Sequence, residues 1–169
     1  VFPIMAIIAL IIKLDSPGPI IFKQQRAGEN SQPFNMYKFR TMVHDAEAQH
    51  DALIQKTPDG QPIHKFYDDP RVTRFGRFLR RTSLDELPQL FNILTGEMSL
   101  VGPRPELPWL VDQYAPWQRK RFEVPQGLTG WWQVNGRADR LMHLNTEEDL
   151  YYIKHYSLWL DIQILWRTV

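Results

Sequence analysis

The apolar positions of this chain fall into unequal blocks. Val1 to Ile12 is apolar throughout apart from Pro3, and Lys13-Leu14-Asp15-Ser16-Pro17-Gly18-Pro19 follows it. Proline removes a backbone donor and glycine gives up backbone order, so this second stretch predicts a sharp turn after a helix. Ile20 to Arg26 then reads as a strand, Ala27 to Pro33 as a loop, and Phe34 to Arg40 as a second strand. Alternation places Lys38 and Arg40 on one face of that strand and Tyr37 and Phe39 on the other. The two strands predict a small antiparallel hairpin with a basic face.

Beyond the hairpin, Val43 to Lys56 is polar without an apolar stripe, and Thr57-Pro58-Asp59-Gly60-Gln61-Pro62 is turn chemistry. An exposed helix and loop are expected there. Val72 to Thr82 resumes helical period, with Phe75, Phe78 and Leu79 apolar, and Leu84 to Leu94 predicts a short helix closed by Gly96. Trp109 to Phe122 is weakly helical and broken at Pro116, Pro125 to Gly130 reads as a loop, and Asn135-Gly136 as a turn. Asn145-Thr146-Glu147-Glu148 is a capping pattern for a helix through Tyr156, and Ser157 to Thr168 forms a further helix bearing tryptophan. No repeat, low-complexity tract or linker divides the chain. The expected class is α+β, helix-dominated, as one domain over residues 1–169.

Length agrees: 169 residues suffice for one core and are too few to expect two. With 20 basic and 19 acidic residues the net charge is +1, so attraction to a partner must come from local clustering. The absence of cysteine excludes a disulfide frame, a thiolate zinc site and a cysteine nucleophile, and leaves the redox compartment open. His44, His50 and His64 are scattered through a polar segment and read as surface residues without a metal role.

The apolar start falls short of the roughly 20 residues that span a bilayer. It reads as a buried core helix, an interfacial or re-entrant segment, or the end of a truncated span. The basic n-region and small-residue cleavage site of a signal peptide are absent. Six tryptophans, a residue favoured both in cores and at headgroup level, tip the balance towards membrane association. The chain reads as cut from something longer at both ends.

The candidate chemistry lies in the middle. Arg71, Arg74, Arg77, Arg80 and Arg81 step by three and four residues, which brings several guanidinium groups to one side of a helix. Thr82-Ser83-Leu84-Asp85-Glu86-Leu87-Pro88-Gln89 then places two adjacent carboxylates at an expected helix start, and Val101-Gly102-Pro103-Arg104-Pro105 holds another arginine between two prolines. A helix's positive end favours ionised carboxylates, and aspartate, with a reference pKa of about 3.9, is deprotonated at neutral pH. Neighbours on a helix point roughly 100° apart, so the two acids suit different tasks. One can attack phosphorus and the other can hold Mg²⁺, with arginines stabilising charge on the transferred group. The bland readings are that Ser83 and Glu86 form a capping box and that the arginines make a solvated face or an anionic-lipid patch. Nucleic acid is set aside, because no binding signature accompanies the charges.

Longer ordered motifs surround these residues: Tyr37-Lys38-Phe39-Arg40-Thr41-Met42, Asp69-Pro70-Arg71-Val72-Thr73-Arg74, Gly76 to Gln89, Gly96 to Pro105, and Leu128-Thr129-Gly130-Trp131-Trp132-Gln133-Val134-Asn135-Gly136-Arg137. Together with Pro3 and the turn after the first helix, they resemble the bacterial sugar transferases. These are also called monotopic phosphoglycosyl transferases, and they start lipid-linked glycan synthesis. The resemblance implies transfer of a sugar phosphate from a nucleotide sugar, with uracil as its base, to polyprenol phosphate at the cytoplasmic face of the bacterial inner membrane. It implies that Asp85 is the nucleophile and Glu86 the Mg²⁺ ligand. Arg104, Arg77, Arg80, Arg81, Lys38, Arg40, Gln133 and Arg137 become substrate contacts.

For the N-terminus, the resemblance implies a re-entrant helix broken at Pro3, with the outgoing arm Ile4 to Leu14 present. Residues 1–14 then form a membrane-associated helix, with Pro3, Ile7, Ile8 and Ile11 as its membrane residues. Pro125-Gln126-Gly127 departs from the pattern, since many members have the proline and glycine adjacent. The segment between Met42 and Asp68 resembles longer members that carry extra membrane helices, for which a homodimer is reasonable. Two other readings stay open: a peripheral scaffold whose arginine helix binds anionic lipid, and a soluble hydrolase that uses water as acceptor.

Overall fold

The computed structural model describes residues 2–46, 55–56, 62–63, 69–136 and 146–168. The chain packs as two compact units, one of Val1–Phe22 with Lys38–Pro88 and the other of Lys23–Tyr37 with Gln89–Val169. Helices dominate both, and the α+β class holds.

In the first unit, α1 (Phe2–Asp15) carries Pro3 in its first turn, where a missing donor costs little. Ile8 and Ile12 are buried against Phe39 and Leu79, with Phe75, Leu84 and Leu87 packed around them. Phe2, Ile4, Ile7, Leu10 and Leu14 remain exposed. Ile8 is therefore a core residue and not a membrane-facing one, Ile11 is half-buried, and Pro3 and Ile7 lie on the open side. Among the described residues no helix is long and apolar enough to cross a membrane.

The hairpin joins β1 (Ile21–Ala27) to β2 (Pro33–Phe39) as expected. After β2 the chain pairs with the segment before the next helix: Val43 N–H donates to the Arg71 carbonyl at 2.9 Å and Thr73 N–H to that of Thr41 at 3.0 Å. That helix, α2 (Arg74–Thr82), is capped by Thr73, whose hydroxyl accepts from Gly76 N–H. Gly76 packs directly on the Thr41 backbone, where a Cβ would collide with the carbonyl. The polar stretch read as helix and loop contains β3 (Gln55–Lys56), antiparallel to β4 (Pro62–Ile63). Ladder bonds are made by backbone, so side-chain polarity did not distinguish the two outcomes. Residues 47–54 and 57–61 of that stretch lie outside the described residues, as do His50 and His64.

The second unit contains α3 (Gln89–Leu94), β5 (Ser99–Val101), α4 (Pro108–Val111), α5 (Pro116–Arg119), β6 (Gly127–Thr129), α6 (Trp131–Gly136), α7 (Glu147–Lys154) and α8 (Leu158–Thr168). β5 and β6 pair in parallel, Ser99 opposite Gly127 and Val101 opposite Thr129, so the expected loop at Pro125 to Gly130 is partly strand. Asn135-Gly136 ends a helix instead of making a hairpin turn. Trp131 and Val134, one helical step apart, pack on the cluster of Val101, Tyr152, Leu160 and Ile164, and this burial outweighs the local turn preference. Thr146 has helical dihedrals and makes no side-chain cap, while Asn145, which opens the predicted capping pattern, lies outside the described residues. Asn92, fully buried, ties α3 to β2: its Oδ1 accepts from Tyr37 N–H at 3.1 Å and its Nδ2 donates to the Asn35 carbonyl at 2.8 Å.

Candidate active site

The acid pair is mounted by the end of α2. Ser83 closes that helix in the left-handed region at φ 57°, and its N–H donates back to the Arg80 and Leu79 carbonyls. A single 3₁₀ turn, Leu84–Glu86, follows, and Ser83 makes no side-chain cap to it. The capping box is thus not formed, and the continuous helix expected from Leu84 to Leu94 is split. Proline at position 88 would clash with the carbonyl four residues back, at Leu84, and α3 starts only at Gln89. Asp85 and Glu86 therefore follow the negative end of α2, so their electrostatic support must come from side chains.

That support is present. Leu84 and Leu87 anchor the turn in the core around Leu79, and Asp85 between them is only 8% exposed. Lys38 Nζ, from β2, donates to Glu86 Oε1 at 3.0 Å, with both side chains largely covered. Arg80 Nε donates to Thr41 Oγ1 at 2.9 Å. Desolvation draws the Arg80 guanidinium below the ordinary arginine value, and the charges of Asp85 and then Asp69 oppose it. Glu86 is thus paired with Lys38, and the Asp85 carboxylate lies within the electrostatic reach of Arg80. Arg74, Arg77, Arg80 and Arg81 all lie exposed on α2.

Two of the arginines singled out from the pattern have other surroundings. Arg71 precedes α2 and is buried, its Nη2 2.7 Å from Asp69 Oδ2 and its Nη1 donating to the Ala46 carbonyl. Arg40 is buried at the end of α1, where its guanidinium donates to the carbonyls of Ile12, Ser16 and Pro17. These carbonyls lie in the last turn of α1 and just past it, so Arg40, expected among the substrate contacts, is engaged at the helix end. Gly18, at φ 116°, makes room for it, since a Cβ there would strike the guanidinium.

In the second unit, Gly102, Pro103 and Pro105 are buried and Arg104 between the prolines is half-buried. Gln133 donates through Nε2 to the Leu128 carbonyl at 2.9 Å. Arg137 lies outside the described residues. Beside the Pro-Arg-Pro turn is a buried charge network that the sequence pattern did not reveal. Arg121 Nη2 stands 2.7 Å from Asp149 Oδ2, and its Nη1 donates to Tyr114 Oη at 3.2 Å and lies 3.8 Å from Glu106 Oε2. Arg121 sits in a Lys-Arg-Phe stretch that reads as ordinary surface charge, and no periodicity marks it as interior.

The family model described as bacterial sugar transferase matches residues 1–169. The chain belongs to the bacterial sugar transferase family. A relative from Aeromonas hydrophila, a UDP-N-acetylgalactosamine-undecaprenyl-phosphate N-acetylgalactosaminephosphotransferase, is 44% identical over 173 residues, covering 99% of this chain and 38% of its own. The UDP-glucose:undecaprenyl-phosphate glucose-1-phosphate transferase of Escherichia coli K12 is 43% identical over 175 residues, covering 99% of this chain and 35% of its own. An undecaprenyl-phosphate glucose phosphotransferase of Komagataeibacter xylinus is 44% identical over 178 residues, with 99% and 32% covered. The chain spans about a third of the length of these relatives. Relatives named for different sugars match this chain equally well, so overall identity does not select the sugar.

The described residues hold no group of three or more His, Cys, Asp and Glu side chains able to bind a metal. A cation at the acid pair would rest on Glu86 with oxygens from elsewhere. Mg²⁺ suits that donor set, because it is usually held by one or two carboxylates together with waters and substrate phosphates.

Proposed function

We propose that this domain transfers a sugar 1-phosphate from a UDP-sugar to polyprenol phosphate through a covalent phosphosugar on Asp85. The observation that carries the reading is the covered acid pair, balanced by Lys38 and Arg80, in a family whose relatives are named for this transfer. In the first step an Asp85 carboxylate oxygen bonds to the phosphorus bearing the sugar, and the bond from that phosphorus to the bridging oxygen breaks. Uridine monophosphate leaves with the electron pair. In the second step a phosphate oxygen of the polyprenol phosphate attacks the same phosphorus, the acyl phosphate bond breaks, and Asp85 returns as carboxylate. The product is a polyprenyl diphosphosugar, suited to lipid-linked glycan synthesis.

Burial of Asp85 among Leu84, Leu87 and the core limits water at the acyl phosphate, which favours transfer over hydrolysis. Lys38 and Arg80 neutralise charge as the donor approaches, while Arg77, Arg81, Arg104, Gln133 and Arg137 are assigned to the donor's phosphates and nucleotide. Glu86 would hold Mg²⁺, which when bound would offset the charge of the diphosphate. We assign the reaction to the cytoplasmic face of the bacterial inner membrane, where a lipid acceptor and a nucleotide sugar can meet. The exposed apolar face of α1 and the exposed Leu158, Trp159, Ile162 and Trp166 of α8 support that location.

The test is intact-mass analysis after incubation with Mg²⁺ and a panel of UDP-sugars without lipid acceptor, followed by peptide mapping. A phosphosugar mass on Asp85 is expected, lost in Asp85→Asn. Anionic-vesicle binding with no adduct and no nucleotide release from any donor would favour the scaffold reading instead.

A further inference from the structure

We propose that Arg121 is a positioning residue for Arg104, holding the backbone from which Arg104 reaches the donor's diphosphate. This rests on the assignment of Arg104 to that diphosphate. The carbonyls of the turn are held by groups outside it. Four in succession receive donors: Pro103 from Gly127 N–H at 2.8 Å, Arg104 from Arg121 Nη2 at 2.9 Å, Pro105 from Arg26 Nη1 at 3.4 Å, and Glu106 from Ala27 N–H at 2.8 Å. Prolines at 103 and 105 have no N–H, so the turn has few donors with which to tie itself, and their fixed φ leaves little other freedom. The clamp is supplied from outside, and its bond to Arg104 itself comes from a side chain.

Arg121 is 0% exposed. Its guanidinium lies 5.3 Å from the Phe122 ring centre and 5.9 Å from that of Tyr114, and its two Nη atoms diverge to opposite sets of partners. Glu106, the residue that ends the clamped run, accepts from Leu107 N–H at 2.9 Å and from Tyr114 Oη at 3.3 Å. Burial pushes the Tyr114 phenol up, so it stays a donor. Desolvation opposes the Arg121 charge, but Asp149, Tyr114 and Glu106 together outweigh it and hold the guanidinium above its ordinary value.

A buried ion pair contributes little net stability compared with apolar residues of the same volume. What an arginine adds here is direction. Its planar fork fixes the Arg104 carbonyl relative to Asp149 and Glu106, a geometry that a flexible ammonium does not reproduce. A misplacement of about 1 Å in a substrate-positioning group can cost about 100-fold, so a modest release of this turn is expected to reach the donor site.

The experiment is a double-mutant cycle read by titration calorimetry with uridine diphosphate and Mg²⁺, alongside thermal unfolding. Arg121→Lys is expected to weaken uridine diphosphate binding about tenfold in the wild-type background and by less than about twofold in Arg104→Ala. Equal losses in both backgrounds would overturn the proposal, because Arg121 would then act independently of Arg104. Unchanged affinity in Arg104→Ala alone overturns the assignment of Arg104 itself, which is a separate failure. If Arg121→Lys does not fold, Arg26→Met is read in the same cycle. Arg26 is 17% exposed and donates to the next carbonyl of the clamp, so the same non-additivity is expected and additivity overturns the proposal.

Discussion

At the scale of single residues, the chemistry rests on two neighbours with unlike surroundings. Asp85 is covered and flanked by two core leucines, whereas Glu86 reaches Lys38. Asp85→Asn keeps shape and removes the nucleophile, so turnover should fall to background while the unfolding temperature changes little. A circular-dichroism melt beside a nucleotide-release assay checks both parts. Glu86→Gln keeps a hydrogen-bond acceptor for Lys38 but loses the charge suited to a cation. It is expected to raise the Mg²⁺ concentration needed for half-maximal rate, and an unshifted Mg²⁺ titration would remove Glu86 from that role. Both acids were legible in the sequence because they are adjacent in the chain. Lys38 was legible as a basic residue on one strand face, but its bond to Glu86 spans 48 positions and has no local signature.

At the scale of elements, helix ends decide most of what was misread. Arg40 holds the Ile12 carbonyl in the last turn of α1 and those of Ser16 and Pro17 just past it. Replacing Arg40 by methionine removes the charged hydrogen bonds to these carbonyls, and a loss of about 1.5–3 kcal/mol in a urea titration is expected. Gly76 in α2 makes the opposite point about propensity. Alanine there gains about 1 kcal/mol of helix propensity, but its Cβ meets the Thr41 carbonyl, and overpacking of this kind costs about 1–3 kcal/mol. Packing should win, so Gly76→Ala is expected to lower the denaturation midpoint. The capping box at Ser83 failed for a related reason. Its N–H was already engaged in closing α2, a contact that no spacing rule registers.

At the scale of the whole molecule, buried charge sets the response to pH and the tolerance to substitution. The hydrogen bonds from Arg71 hold the Asp69 carboxyl below its ordinary value, so folding is favoured by this pair above the unfolded carboxylate value of about 3.9. That contribution is lost as pH falls through the lower folded value. Denaturation midpoints measured down an acid series should fall steeply in the wild type and less steeply in Asp69→Asn. Arg121→Met removes the cation that faces both Asp149 and Glu106 in the buried network and should cost about 3–5 kcal/mol of unfolding free energy.

By itself the sequence determined the class, the hairpin, α2, the last helix and the acid pair. Strand and helix periods arise from local backbone geometry, and Asp85-Glu86 is contiguous. Tertiary structure alone decided that Ile8 faces a core, that Arg40 and Arg71 are spent on carbonyls and Asp69, that Asn135-Gly136 stays helical, and that Arg121 lies inside. Each depends on which distant groups exclude water from it, and solvent exclusion is a property of packed surfaces, not of neighbours along a chain.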